Sequence, residues 1–284
     1  MKTGQPSQTA SMVALLRAFG DAGISHVADF SDPTARKLLP SAWAKRLARA
    51  EARMKRGPST MLEAARHGAD MMALRTLVID EAIRQAVTRG ARQLVILGAG
   101  LDGRAFRLRE LERVAVFEND HPATQSFKKE RASALVRAAQ SVTFVSIDFE
   151  KETLEERLAS SGFRMDLPTA WVWEGVTMYL THEATRATLR SLARAALGEA
   201  TLIVNYHTTR RSLLTNLLLR LWSEPQIGEW STEAIAAELR AVGFDVESDT
   251  SAADWAARYG IGLPRYGLRD AVRIVVARRP SVIV

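Results

Sequence analysis

Apolar residues fall into two rhythms along this chain. From residue 91 onward, short unbroken runs of strand length recur: Leu94 to Leu97, Val114 to Phe117, Val142 to Ile147, Trp171 to Trp173 and Thr201 to Val204, with amphipathic stretches between them. That alternation predicts a parallel sheet with helices on both faces. Before residue 91 the spacing is helical. Met12, Val13, Leu15, Leu16 and Phe19 mark a short amphipathic helix over 7 to 23 that stops at Gly20 and Gly23 and packs as a cover. Phe30-Ser31-Asp32-Pro33 reads as a turn, followed by a helical stretch through Leu38. Residues 41 to 56, rich in Lys, Arg and Ala, read as a solvated helix or a mobile lid, broken by Gly57-Pro58. A long helix from Thr60 to Thr88 then leads into the first strand, with Met71, Leu74, Val78, Ala82 and Ala86 on one face. In the C-terminal third, Leu213, Leu214, Leu217, Leu218, Leu221 and Trp222 keep helical spacing within 208 to 230, as core or as the roof of a substrate pocket. Ser231 starts a helix through Leu239 that stops at Gly243-Phe244; a strand over 245 to 247, a long loop over 251 to 270 and a last strand over 272 to 277 complete the chain.

The candidate chemistry sits where strands end. The first strand runs into Gly98, Gly100 and Gly103, a strand, glycine turn and helix whose unpaired N–H groups suit the polar tail or ribose of a nucleotide-like cofactor; a tight turn that binds nothing reads the same way. In open parallel sheets ligands lie beyond the carboxyl ends of the strands, and the next three ends carry Glu118 with Asp120, Asp148, and Glu174. Glu118 and Asp120, two apart, share a face and are placed to accept both ribose hydroxyls. Asp148-Phe149 pairs an acceptor with an aromatic face, suited to an exocyclic amine and a purine ring; Asp148 could equally cap a helix over 150 to 158. Glu174 follows two tryptophans, where a lone carboxylate is costly, so it requires a buried cation, either a ligand's or an arginine such as Arg75. Arg75 itself lies in the apolar stripe of the long helix, ~20° from Ala82, and points inward toward a carboxylate of Asp80 or Glu81, or of a ligand.

Composition narrows the class. The chain has 284 residues, 47% hydrophobic and 25% charged, enough for a full core in one large domain. Its most apolar stretch, Leu213 to Trp222, is broken by Asn216 and Arg220 and is too short and polar to span a bilayer. Arg17 interrupts the first apolar segment, which argues against a signal peptide and for the cytoplasm. With no cysteine there is no disulfide, thiolate metal site or cysteine nucleophile, and no metal is expected. The net charge of +7 raises nucleic acid as a partner, but the basic residues are dispersed, which favours a solvated basic surface.

Together, LVILGAGLDGRAFRL, VFENDHP at 116 to 122, SIDFE at 146 to 150, WEGVTMYL at 173 to 180, Asp32-Pro33, Arg75-Thr76 and AVGF resemble class I S-adenosylmethionine-dependent methyltransferases, most closely the leucine carboxyl methyltransferase family with its bacterial relatives. The family form has Thr or Ser where Gly103 stands, so the GxGxxG spacing is a coincidence of that departure. The resemblance implies an α/β, Rossmann-like fold with seven strands in the order 3-2-1-4-5-7-6, the last antiparallel, in one domain over 1–284: helical cap and lead-in helix over 1–90, core over 91–284, lid insertion over 208–230. It implies S-adenosylmethionine as cofactor, with Arg75 on the methionine carboxylate, Gly98 beside the methionine portion, Gly100 also in contact with the cofactor, Asp120 on the ribose, Asp148 and Phe149 on the adenine and Glu174 at the amino end. It further implies an O-methyltransferase acting on a carboxylate or hydroxyl of a small molecule, as in secondary metabolism. A carboxylate acceptor needs no base; a hydroxyl acceptor does, and His207, just past the fifth strand, is the histidine best placed in sequence. Two alternatives share parts of the pattern. An NAD-dependent oxidoreductase leaves Arg75 and Glu174 unexplained, and a nucleic-acid methyltransferase lacks an aromatic-interleaved basic platform and any Asn-Pro-Pro-Tyr motif.

Overall fold

A computed structural model describes residues 6–147, 152–208, 227–263 and 269–281. Seven strands form one sheet: β1 (Gln93–Leu97), β2 (Ala115–Asp120), β3 (Ser141–Ser146), β4 (Thr169–Trp173), β5 (Ala200–His207), β6 (Asp245–Ser251) and β7 (Val272–Arg279). Their order is β3-β2-β1-β4-β5-β7-β6, with β1 to β5 parallel and β7 antiparallel to both neighbours, as the resemblance implies. Strand alternation sorts the core by face. Leu94, Ile96, Val116, Val172 and Ile203 pack on one side, against Leu74, Ile79 and Ile83 of the helix leading into β1. Val95, Leu97, Phe117, Trp171, Trp173 and Leu202 pack on the other, with Phe163 edge-on to both Phe117 and Trp171 at 5.5 Å. A strand buried on both faces reads as an unbroken apolar run, which is why these strands were visible in sequence.

The N-terminal helices are α1 (Gln8–Asp21), α2 (Pro33–Leu38), α3 (Ser41–Met54) and α4 (Thr60–Thr88). Each start has a local cause. Ser7, Asp32 and Ser59 accept from first-turn N–H groups of α1, α2 and α4, and Pro33 opens α2 with its φ already set. A third apolar cluster, including Leu15, Phe19, Leu38, Trp43, Leu47 and Leu62, joins this cap and takes in Leu101 of the glycine turn. Beyond the turn come α5 (Arg104–Arg107), α6 (Pro122–Ala132), α7 (Leu154–Ala159), α8 (His182–Ala195), α9 (Thr232–Ala241) and α10 (Ala252–Arg258).

Two expectations change. The helix after the glycine turn is a single turn, continued by a 3₁₀ segment over Arg109–Arg113; buried Leu108, Leu111 and Val114 recur every three residues, the period of the tighter helix. The loop over 251 to 270 contains α10, started by a reciprocal capping box between Ser251 and Asp254 and held by buried Trp255. Most of the lid insertion, 209 to 226, lies outside the described residues. No helix among the described residues is long and apolar enough to cross a membrane.

Candidate active site

The carboxyl ends of β1, β2 and β4 meet at a cavity of ≈ 540 Å³, to which α1 contributes a wall through Thr9, Ala10, Val13 and Arg17. Strand register sets the geometry. Leu97 pairs with Asn119 on one side and Trp173 on the other, so Gly98, Asp120 and Glu174 are the next residues out on three adjacent strands, and all three line the cavity. Gly98 and Gly100 hold φ of 64° and 51°, backbone that side chains disfavour, and a Cβ on Gly98 would stand 2.4 Å from Val176 Cγ2. Asp120 accepts from the N–H of Gly100 and from that of His121, which ties the second strand to the turn. Burial nevertheless outweighs those bonds and raises the Asp120 carboxyl above its ordinary value.

Arg75 points inward as its place in the helix predicts and is 5% exposed, but neither Asp80 nor Glu81 is its partner. Its Nη2 lies 2.8 Å from Glu174 Oε1. Glu174 Oε2 is held by Arg104 Nη1 at 2.7 Å. Burial alone would push the Glu174 carboxyl up; the Arg104 and Arg75 guanidiniums overcome it and hold the group at about 2, so it is ionised throughout the physiological range. Arg75 Nε and Glu174 Oε1 carry no hydrogen bond among the described residues, although both are buried beside the cavity.

Behind this pair runs an ion network that sequence reasoning missed. Arg104, wholly buried, donates from Nε to Asp80 at 2.7 Å and from Nη1 to Asp102 as well as to Glu174. Arg107 Nη1 reaches the other oxygen of Asp80 at 2.6 Å, and its Nε lies 3.6 Å from Asp32. Arg17 closes the set, 3.4 Å from Asp32 and donating to the Leu101 carbonyl at 2.6 Å. Arg17, Arg75, Arg104 and Arg107 thus balance Asp32, Asp80, Asp102 and Glu174, and tie α1, the start of α2, α4 and the end of β4 to the glycine turn and α5. One signal was available: Arg104 and Arg107 flank Ala105 and Phe106 in an apolar context directly after the turn, where free cations are costly.

The remaining predicted residues divide. Glu118 stands apart: it shares a face with Asp120 but lies one pleat deeper, wholly buried, paired with buried Lys128 and not among the residues that line the cavity. Burial raises its carboxyl to about 7, with Lys128 pulling the other way. His207 ends β5, 5% exposed, its carbonyl accepting from the Trp230 N–H; the described residues lining the cavity do not include it. Asp148 and Phe149 lie outside the described residues, whereas Ile147, just before them, lines the cavity. The helix that Asp148 could have capped begins instead at Leu154 and is capped by Thr153. Gly103 has its own reason to lack a side chain: a Cβ there would fall 1.7 Å from the Thr34 hydroxyl, which fills that space and donates to Asp32.

Comparison with known proteins shows the family and the fold. The sequence profile described as leucine carboxyl methyltransferase matches residues 10–193. A relative from Mycolicibacterium gilvum, an inferred S-adenosyl-L-methionine-dependent methyltransferase, is 30% identical over 272 residues, covering 90% of this chain and 87% of the relative. Another, from Mycolicibacterium paratuberculosis and described in the same words, is 35% identical over 207 residues, 70% of this chain and 66% of that relative's length. Among solved structures, an inferred methyltransferase from Thermobifida fusca superposes with a TM-score of 0.58 at 11% identity over 99% of this chain and 97% of that one. Magnesium protoporphyrin IX methyltransferase from Synechocystis, with bound S-adenosylhomocysteine, gives 0.51 at 14% identity over 84% of this chain and 95% of that one, a likeness of fold. With the profile matched from the cap to α8 and the ion-paired arginine and glutamate standing beside the glycine turn, this chain belongs to the leucine carboxyl methyltransferase family of S-adenosylmethionine-dependent methyltransferases.

Proposed function

We propose that the protein transfers a methyl group from S-adenosylmethionine to an oxygen of a small molecule, with a carboxylate as the favoured acceptor. The observation that carries this is the Arg75–Glu174 pair at the cavity wall, opposite charges whose buried Nε and Oε1 atoms are left without hydrogen bonds in the described protein. They match the carboxylate and ammonium of an amino-acid moiety, while the positive-φ backbone at Gly98 and Gly100 leaves room beside them and Asp120 offers an acceptor for a ribose. The bound cofactor supplies an electrophilic methyl on a sulfonium. The protein's part is to align an acceptor oxygen and exclude water, which can lower a barrier by several kcal/mol. A carboxylate is ionised at neutral pH and needs no base, consistent with His207 standing apart from the described cavity wall.

Thermal melting tests the cofactor half of the proposal. S-adenosylmethionine at 100 times its dissociation constant should stabilise the protein by about 2.7 kcal/mol, and NAD should do nothing. A screen of carboxylic acids and phenols tests the acceptor half. With a carboxylate the rate should be flat from about pH 6 to 8 and within a few-fold of wild type in His207→Ala. A rate that climbs through the histidine range and collapses in that variant would establish base-assisted hydroxyl methylation instead.

A further inference from the structure

A second cavity, of ≈ 500 Å³, opens where α3 turns into α4, and it shares no lining residue with the cofactor cavity. Its wall holds three arginines, Arg49, Arg53 and Arg56, with Gly57 to Ser59 of the connecting turn. Arg49 and Arg53 lie four residues apart on one edge of α3, and Arg56 sits in the turn that follows. Elsewhere on this cap, cations have clear work: Arg36 pairs with Glu51, Arg66 with Glu63 at 2.6 Å, and Arg46 lies 4.3 Å over the Trp43 ring. The three cavity arginines differ. No carboxylate among the described residues pairs with any of them, because the acids nearest in sequence, Glu51 and Glu63, are committed to Arg36 and Arg66; Arg53 donates from Nη1 to the Met61 sulfur at 3.4 Å.

We propose that this cavity binds the phosphate or diphosphate group of a soluble small molecule. Three arginines lining one open space can supply more forked donors than a single carboxylate can use, whereas a tetrahedral phosphate offers oxygens to all of them. Like charges held together without a counter-charge repel one another, and an anion relieves that repulsion. The site lies on α3 and the turn before α4, in the same helical cap whose α1 walls the cofactor cavity.

The test is isothermal titration with inorganic pyrophosphate in low-chloride buffer, on the full chain saturated with S-adenosylhomocysteine so that the cofactor cavity is filled. The expected result is saturable one-to-one binding that weakens with salt and falls about tenfold or more in Arg49→Gln/Arg53→Gln. Both side chains are exposed, and an unchanged melting shift with S-adenosylhomocysteine would show the variant folded. Arg113→Gln/Arg240→Gln, exposed arginines elsewhere, should bind as wild type and controls for the general basic charge. Absence of binding, or an equal loss in the control, overturns the proposal. So does binding to vesicles containing anionic phospholipid without binding of pyrophosphate, which would reassign the arginines to a lipid surface.

Discussion

Two ion clusters, one at the middle of the sheet and one toward its β6 edge, use the same chemistry to different ends. At the carboxyl ends of β1 and β4, Arg75 and Arg104 are 6% and 0% exposed in their side chains and join α4, the glycine turn and Glu174, segments far apart in sequence. Toward the edge, Arg273 pairs with Asp249 at 2.9 Å and donates to the Tyr206 hydroxyl at 3.1 Å, but the pair is 19% and 16% exposed and links only the three adjacent antiparallel strands β5, β7 and β6. An ion pair near water contributes roughly 0–1 kcal/mol, whereas breaking a buried one by removing a partner costs about 3–5 kcal/mol. Depth therefore separates a cluster that fixes the wall of the cavity from one that pins neighbouring strands at the edge.

The sharpest way to break this contrast is Arg104→Met. It removes the one guanidinium shared by Asp80, Asp102 and Glu174, leaving Arg107 for Asp80, Arg75 for Glu174 and no ion-pair partner among the described residues for Asp102, and should lower unfolding stability by about 3–5 kcal/mol, with cofactor affinity weakened in the same variant; urea denaturation and titration calorimetry would measure both. A loss below about 1 kcal/mol would mean that the network is no more important than the edge pair. Arg75→Ala should act mainly on binding, weakening S-adenosylmethionine by about 2–3 kcal/mol in calorimetry, since Arg104 still neutralises Glu174. Unchanged affinity would make Arg75 purely structural.

Glu118 extends the contrast to pH. Its folded carboxyl lies near 7 against an ordinary value of 4.5, so between those values the folded protein keeps a proton that the unfolded chain releases. Stability on its account is full below about pH 4.5, falls as pH rises toward 7 and is flat above. Denaturation at pH 5 and pH 8 should show a fall of roughly 2 kcal/mol in wild type that is reduced in Glu118→Gln. The smallest effect is expected at the edge: Tyr206→Phe should cost about 1 kcal/mol and leave cofactor affinity unchanged. A weaker cofactor in that variant would show that the two clusters are not independent.

The strands were legible in sequence because burial on both faces leaves unbroken apolar runs, and the inward Arg75 because a cation in an apolar helical stripe contradicts its surroundings. Gly98, Asp120 and Glu174 were legible as strand ends, and strand register then fixes them side by side. What periodicity cannot show is which charges meet across the fold. Glu118 sits in the same alternation as Asp120, and only the position of Lys128 on a neighbouring helix reveals that it faces a lysine rather than the cavity. Likewise Arg17, read as a break in an apolar segment, is a buried link between cap and glycine turn, a role that depends on Asp32 and Leu101 arriving from elsewhere. α10 escaped notice because its signal is a four-residue cap rather than a long apolar face.

The fit of Thr34 into the notch at Gly103 has a consequence for how the sequence can change over generations. The hydroxyl stands where a side chain on residue 103 would go, so the two positions, one in the cap and one in the core, occupy a single volume between them. A mutation that adds a side chain at 103 meets Thr34 unless residue 34 has already shrunk, and shrinking residue 34 first removes the hydroxyl bonded to Asp32. Neither step is neutral alone. Lineages that carry serine or threonine in the turn should therefore carry a smaller residue opposite it, and the order of the two replacements limits which ancestors could lead to this chain.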